Sequence, residues 1–170
     1  MKKILLVLLF PAVMFAQNQH LAAIDMDYLN YTKEMIRDNY RGYENFKLVK
    51  DEKGLLVYEG GECFLNWQIK ITKYYFDSTD SLYKINVILD DSLDEDGKIY
   101  SQVIKKFREW FGNENEYKES NDIEYYYWHF TIQEFDFHNM MYVSKAKDRK
   151  SNTIITQADY NRMNEVDNGK

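Results

Sequence analysis

The sequence predicts an α+β fold, a single antiparallel sheet of about six or seven strands with two helices on one face. Three observations predict it. Two stretches repeat apolar residues at helical spacing, several others alternate apolar and polar residues, and short clusters of turn-forming residues separate the alternating runs. Alternation with one polar face is the mark of antiparallel strands that bury one side. The chain has 170 residues with a formal net charge of −6, 45% hydrophobic residues and 16% aromatic residues. That length fits one domain, and that apolar content excludes a disordered chain. The excess of carboxylates excludes a nucleic-acid partner, whose phosphates require a basic stripe.

The chain opens with Lys2 and Lys3, followed by an uncharged apolar run from Ile4 to Phe15. This reads as a secretory signal over residues 1–16, too short to span a bilayer, with cleavage expected after Ala16. Removing Lys2 and Lys3 takes the 22 basic residues to 20 against 28 acidic ones, a net charge of −8. The expected product is a periplasmic or secreted chain with no further membrane insertion. Cys63 is the only cysteine, so no internal disulfide can form and packing must supply the stability. A single globular domain is expected over residues 17–160, followed by a polar, frayed tail over 161–170.

Within that domain, Leu21, Ile24, Tyr28, Tyr31 and Met35 recur at steps of three and four, predicting a helix that ends near Asn39. Phe46–Lys50 and Leu55–Glu59 flank Asp51-Glu52-Lys53-Gly54, the pattern of a hairpin. Gly60-Gly61 marks a turn or bulge. From Leu65 to Lys73, Leu65, Trp67, Ile69 and Ile71 alternate with polar residues, predicting a half-buried strand. Tyr74-Tyr75-Phe76 at its end is expected to cover the sheet edge. A turn at Asp77–Asp80 leads to a strand with Tyr83, Ile85, Val87 and Leu89 on one face. The stripe Ile99, Val103, Phe107, Trp110 and Phe111 then predicts a helix stopped by Gly112. Extended segments follow at Ile123–Ile132, at Phe137–Val143 and, weakly, at Thr153–Thr156.

At an offset of 68 residues the halves echo each other, with Leu55, Val57 and Tyr58 falling on Ile123, Tyr125 and Tyr126. This faint helix-plus-hairpin duplication would give one sheet with both helices on the same face. Such a layout resembles TATA-binding-protein-like folds in architecture alone, and no function is carried over with it.

Four sites merit weighing. The run Tyr125-Tyr126-Tyr127-Trp128-His129-Phe130 places aromatic residues on both faces of a strand. Tyr126, Trp128, Phe130 and Ile132 would fill the core; Tyr125, Tyr127 and His129 would face a second layer or solvent. Tyr and Trp suit partner anchoring or stacking on sugar rings, because they bring large rigid area at small entropic cost. Tyr125, Tyr127, Trp128 and His129 are therefore the expected binding residues, for a protein or glycan partner. An acidic surface would steer a basic partner.

The second site, Ser92 to Ile99, overlays part of a calcium loop in which Asp94 and Asp96 would be ligands. Ser92 and Val103, however, occupy positions where carboxylates are needed. The simpler reading has these acids capping the following helix. Thirdly, His20, His129 and His138 match no zinc spacing, and His129 and His138 should not lie directly opposite each other. No metal or other cofactor is implied. Finally, no catalytic motif is present, which leaves a small exported hydrolase using two carboxylates from Glu59, Glu62, Glu134 and Asp136 as the alternative to a binding module.

Overall fold

A computed structural model of the chain describes residues 31–61, 63–92, 94, 97–132, 137–147 and 152–167, with the backbone alone at 131, 132, 137, 138 and 167. Residues 1–30, including the expected signal and His20, lie outside the described residues. So do Glu62, Asp96, Glu134 and Asp136.

The described elements run α1 (Lys33–Tyr40), β1 (Phe46–Glu52), β2 (Leu55–Gly60), β3 (Cys63–Phe64), β4 (Trp67–Phe76), β5 (Leu82–Leu89), α2 (Lys98–Phe111), β6 (Glu116–Ser120), β7 (Ile123–Ile132), β8 (Phe137–Ala146), β9 (Ile154–Asp159) and α3 (Tyr160–Asp167). The strands form one nine-stranded sheet in the order β1-β2-β4-β5-β9-β8-β7-β6, with β3 pairing β4 to the side. Every pairing is antiparallel. The order is palindromic. A helix followed by a meander makes each half, and the last strands of the two halves, β5 and β9, join at the centre through Asn86↔Thr156.

Register settles the two faces. One row runs Leu56–Tyr74–Ile85–Gln157–Met141–Trp128 across the sheet. This face carries the core, under α1 and α2. From α1, Ile36 is fully buried, and the Tyr40 ring lies 4.8 Å from Tyr58 and 5.9 Å from Tyr74, with the Tyr40 and Tyr74 hydroxyls hydrogen-bonded to each other. From α2, Phe107 meets Trp128 at 5.2 Å and Phe64 at 6.2 Å, while Phe111 meets Phe130 at 5.1 Å. Asn139 and Gln157 interrupt this face. Both are buried to 1% exposure, and their side-chain amides have no hydrogen-bond partner among the described residues. At one end a buried ion pair closes the face. The Asp91 Oδ2 accepts from Lys145 Nζ at 2.6 Å and from the Thr153 N–H and hydroxyl, which pins the segment before α2 to β8 and β9.

Several expectations need correction. Among the described residues the sheet has nine strands rather than six or seven, and α3 is a third helix, packed on the face opposite α1 and α2. The tail expected to fray supplies that helix. Asp159 Oδ1 accepts the N–H groups of Asn161 and Arg162 at its start, and Tyr160 and Met163, three residues apart, turn toward the sheet. β6 escaped the sequence reading because Glu116–Ser120 is an edge strand exposed along its whole length, so it has no apolar period. The strand expected from Leu65 is instead a tight hairpin followed by β4: Leu65 has φ 57° and Phe64 pairs Trp67 across the turn. A bulge between Ile69 and Ile71 then switches faces, so Ile69, Thr72, Tyr74 and Phe76 are buried while Ile71 passes to the other side. Tyr74 and Phe76 are consequently core residues rather than edge cover. The weak strand at 153–156 extends to Asp159 and sits at the centre of the sheet.

One glycine is dictated by close approach. Gly60 has φ +78°, and a Cβ there would stand 2.6 Å from the Asn45 carbonyl oxygen, so the exit from β2 requires it.

Candidate functional site

The second face of the sheet is read from the remaining register positions. One row runs Val57–Lys73–Asn86–Thr156–Tyr142–Tyr127–Glu116, and its neighbours place Tyr125 beside Ser144 and Lys118, and His129 beside Met140. Strand parity on β7 thus sorts the aromatic run as the alternation predicts. Tyr126, Trp128 and Phe130 face the helices, while Tyr125, Tyr127 and His129 face away from them.

Trp128 is therefore separated from the other expected binding residues. It is 1% exposed, it packs on Phe107, and its indole Nε1–H donates to the Gly112 carbonyl at 3.0 Å. A side chain enclosed in this way is core and has no surface to offer a partner. Tyr125 and Tyr127 are half-buried and His129 is exposed.

The outward rings form one cluster. Tyr125 and Tyr127 are near-parallel with centroids 5.9 Å apart, and Tyr127 and His129 repeat the arrangement at 6.1 Å, both offset stacks. Tyr142, from the neighbouring strand, approaches Tyr127 to 5.1 Å and Tyr125 to 6.0 Å, and Tyr160 of α3 meets His129 edge-on at 6.0 Å. Beside α3 the rings of Tyr127, His129, Tyr142 and Tyr160 line an open concavity of about 280 Å³, together with Met140, Met163, Glu116, Lys118 and Asn164. The loop from Gly112 to Asn115 holds this end of β7 in place. The Asn115 N–H donates to the Tyr127 carbonyl at 2.8 Å, and its side-chain oxygen accepts from the His129 N–H at 2.7 Å.

The electrostatics are those of a neutral aromatic surface. Burial, helped by the hydroxyls of Tyr142 and Tyr125 and the Glu116 carboxylate, pushes the Tyr127 hydroxyl up to about 12, so it stays protonated and can both donate and accept. Lys118 Nζ lies 3.1 Å from Glu116 Oε1 and 5.5 Å from the centre of the Tyr127 ring. Sequence reasoning missed Tyr142, Tyr160, Met163, Glu116 and Lys118, since strand register and a short helix bring them to β7 from three separate elements. The alternation of Tyr125, Tyr127 and His129 was the one local signal.

The other expected sites are placed as follows. Asp94 spends both carboxylate oxygens on the start of α2, Oδ1 accepting from the Lys98 N–H and Oδ2 from the Ile99 N–H, each at 2.8 Å. That is the capping role, and its supposed co-ligand Asp96 lies outside the described residues. Among the described residues no group of three or more His, Cys, Asp or Glu could hold a metal ion. His129 pairs Met140 while His138 pairs Thr131, so the two histidines are not opposite. Cys63 is half-exposed, with its Sγ 3.7 Å from Gln68 Oε1. Of the carboxylates weighed for hydrolysis, Glu59 is exposed on β2 within 4.0 Å of Lys47, and Glu62, Glu134 and Asp136 lie outside the described residues. The concavity itself is lined by one carboxylate, Glu116. Comparison with protein-family models, with curated proteins and with solved structures returned no match, so this chain's own residues carry the argument.

Proposed function

We propose that the chain is an exported, non-catalytic binding module that engages its partner through the second face of the sheet, at the concavity of Tyr127, His129, Tyr142 and Tyr160. The observation that supports this reading is the segregation of rings on β7. Core packing accounts for Tyr126, Trp128 and Phe130, yet Tyr125, Tyr127 and His129 stand on the side away from α1 and α2 and gather further rings from β8 and α3. Half-exposed tyrosines around a concave centre with a polar rim are the composition of a binding hot spot. Export rests on the basic and apolar start of the chain, and cleavage after Ala16 would be read directly from the mass of the secreted product. The two helix-plus-meander halves are, on this reading, a repeat, and the partner site belongs to the second.

The test is capture by the immobilised chain, offered a glycan array and an extract of its own cell envelope. The wild type should retain a ligand that a Tyr127→Ala/His129→Ala variant does not. Equal retention by the variant, or a wild type that captures nothing in both formats, contradicts the reading.

A further inference from the structure

We infer that the occupant of the concavity is a neutral saccharide unit, an inference that rests on the binding-module reading and adds the chemical class of the ligand. Charge favours a neutral ligand. The chain is acidic overall, with a formal net charge of −6, which disfavours an anionic ligand anywhere on its surface. At the concavity, however, Glu116 and Lys118 are paired at 3.1 Å and cancel. A cationic side chain from a basic partner would seek the face of Tyr127, but the chain's own Lys118 ammonium already lies over that ring at 5.5 Å. Both signs of ligand are thus disfavoured, which leaves a neutral one.

The chemistry of the lining favours a sugar. A pyranose has an apolar C–H face bordered by hydroxyls that both donate and accept. The concavity offers the matching arrangement: the Tyr142 and Tyr160 rings and Met140 for the apolar face, the Tyr127 ring supporting Tyr142 from 5.1 Å with its hydroxyl at the site, and Glu116 and Lys118 as acceptor and donor on the border. Size agrees. A volume of about 280 Å³ lies at the small end of ligand pockets and suits one sugar ring with its substituents. A protein partner would need roughly 800 Å² of surface on this side. Among the exposed large hydrophobic residues described, Tyr160 alone borders the concavity; Tyr117 on β6 packs against Tyr126 on the helix side of the sheet, and Met35, Tyr43, Leu48 and Val49 lie on α1, β1 and the turn between them.

The experiment is aromatic ¹H–¹³C NMR of the full chain with labelled tyrosines, titrated to millimolar concentration with neutral disaccharides (maltose, cellobiose, chitobiose), with glucuronate and with tri-lysine peptide. At least one neutral disaccharide should shift the rings of Tyr127, Tyr142 and Tyr160. Tyr127→Ala should weaken that binding by roughly tenfold, about 1.4 kcal/mol. Tyr127→Phe keeps the ring and should lose only a few-fold, and Tyr43→Ala, on a remote exposed ring, should change nothing. Near-ultraviolet circular dichroism of the packed aromatic residues, Trp128 among them, checks that each variant is folded. Ring shifts with tri-lysine or glucuronate and with no neutral sugar overturn the saccharide but leave the binding face standing. No shift with any probe overturns the saccharide and counts against the binding reading as well, and sugar binding that survives Tyr127→Ala places the site elsewhere.

Discussion

The two faces of β7 have the same kind of residue and opposite fates. On the helix side, Trp128 is enclosed by Phe107 and the Gly112 carbonyl and is 1% exposed; one residue away, Tyr127 and His129 point to an open concavity. Aromatic content alone could not distinguish them. What decides is whether a helix of complementary stripe lies above the strand, and α2 supplies that stripe on one side only. A short helix, α3, covers part of the other side and leaves rings at its margin. Stability should therefore reside in the even-numbered residues of β7, and recognition in the odd-numbered ones.

The largest effect should come from Trp128→Ala. Removing a fully buried indole from the face shared with Phe107 should cost about 3–5 kcal/mol, read as a lower midpoint in urea unfolding. A cost comparable to that of a surface substitution would erase the distinction between the faces. Close behind stands Lys145→Met, at the end of the same face. It leaves Asp91 buried without its cation, and breaking such a pair costs about 3–5 kcal/mol. A variant as stable as the wild type would mean that the Asp91 carboxylate reaches water.

A gain is expected from Gln157→Leu. The Gln157 amide is buried between Ile85 and Met141 in the central row with no partner among the described residues, and an unpaired buried amide costs about 1–3 kcal/mol. The substitution should raise the unfolding midpoint, and a lower one would show that the amide is paired in solution.

The smallest effect concerns pH on the open face. The Tyr127 hydroxyl keeps its proton up to about 12 in the fold, against an ordinary value of 10.0. Its share of stability is therefore complete below pH 10 and is lost as pH rises toward about 12. Tyr127→Phe should make the alkaline fall in stability shallower without abolishing it, because burial also raises Tyr58, Tyr75 and Tyr126. Unfolding curves on either side of pH 10 check this, and an unchanged slope would remove Tyr127 from the partly buried cluster.

The comparison also shows what the sequence could reveal. Long, strongly periodic elements were legible: α2 from its stripe, the β1–β2 hairpin from its turn, and the two faces of β7 from parity. Elements whose place is set by tertiary pairing were not. β6 is polar because it is an edge, the hairpin at Leu65 hides behind an apolar residue at positive φ, and the bulge near Ile69 changes faces without breaking the apolar count. α3 has only Tyr160 and Met163 to mark its inner side. The outward ring cluster was half legible for the same reason. Tyr125, Tyr127 and His129 share a strand, while Tyr142 and Tyr160 join them only through register and the packing of α3.

Hydroxyl-radical footprinting of the intact chain, read residue by residue by mass spectrometry, tests the division between the faces most directly. His129 and Tyr160 should be modified rapidly, Tyr127 at an intermediate rate, and Trp128 should be protected despite its greater intrinsic reactivity. Trp128 modified as fast as His129, or Tyr127 and His129 protected to the level of Trp128, would contradict the account.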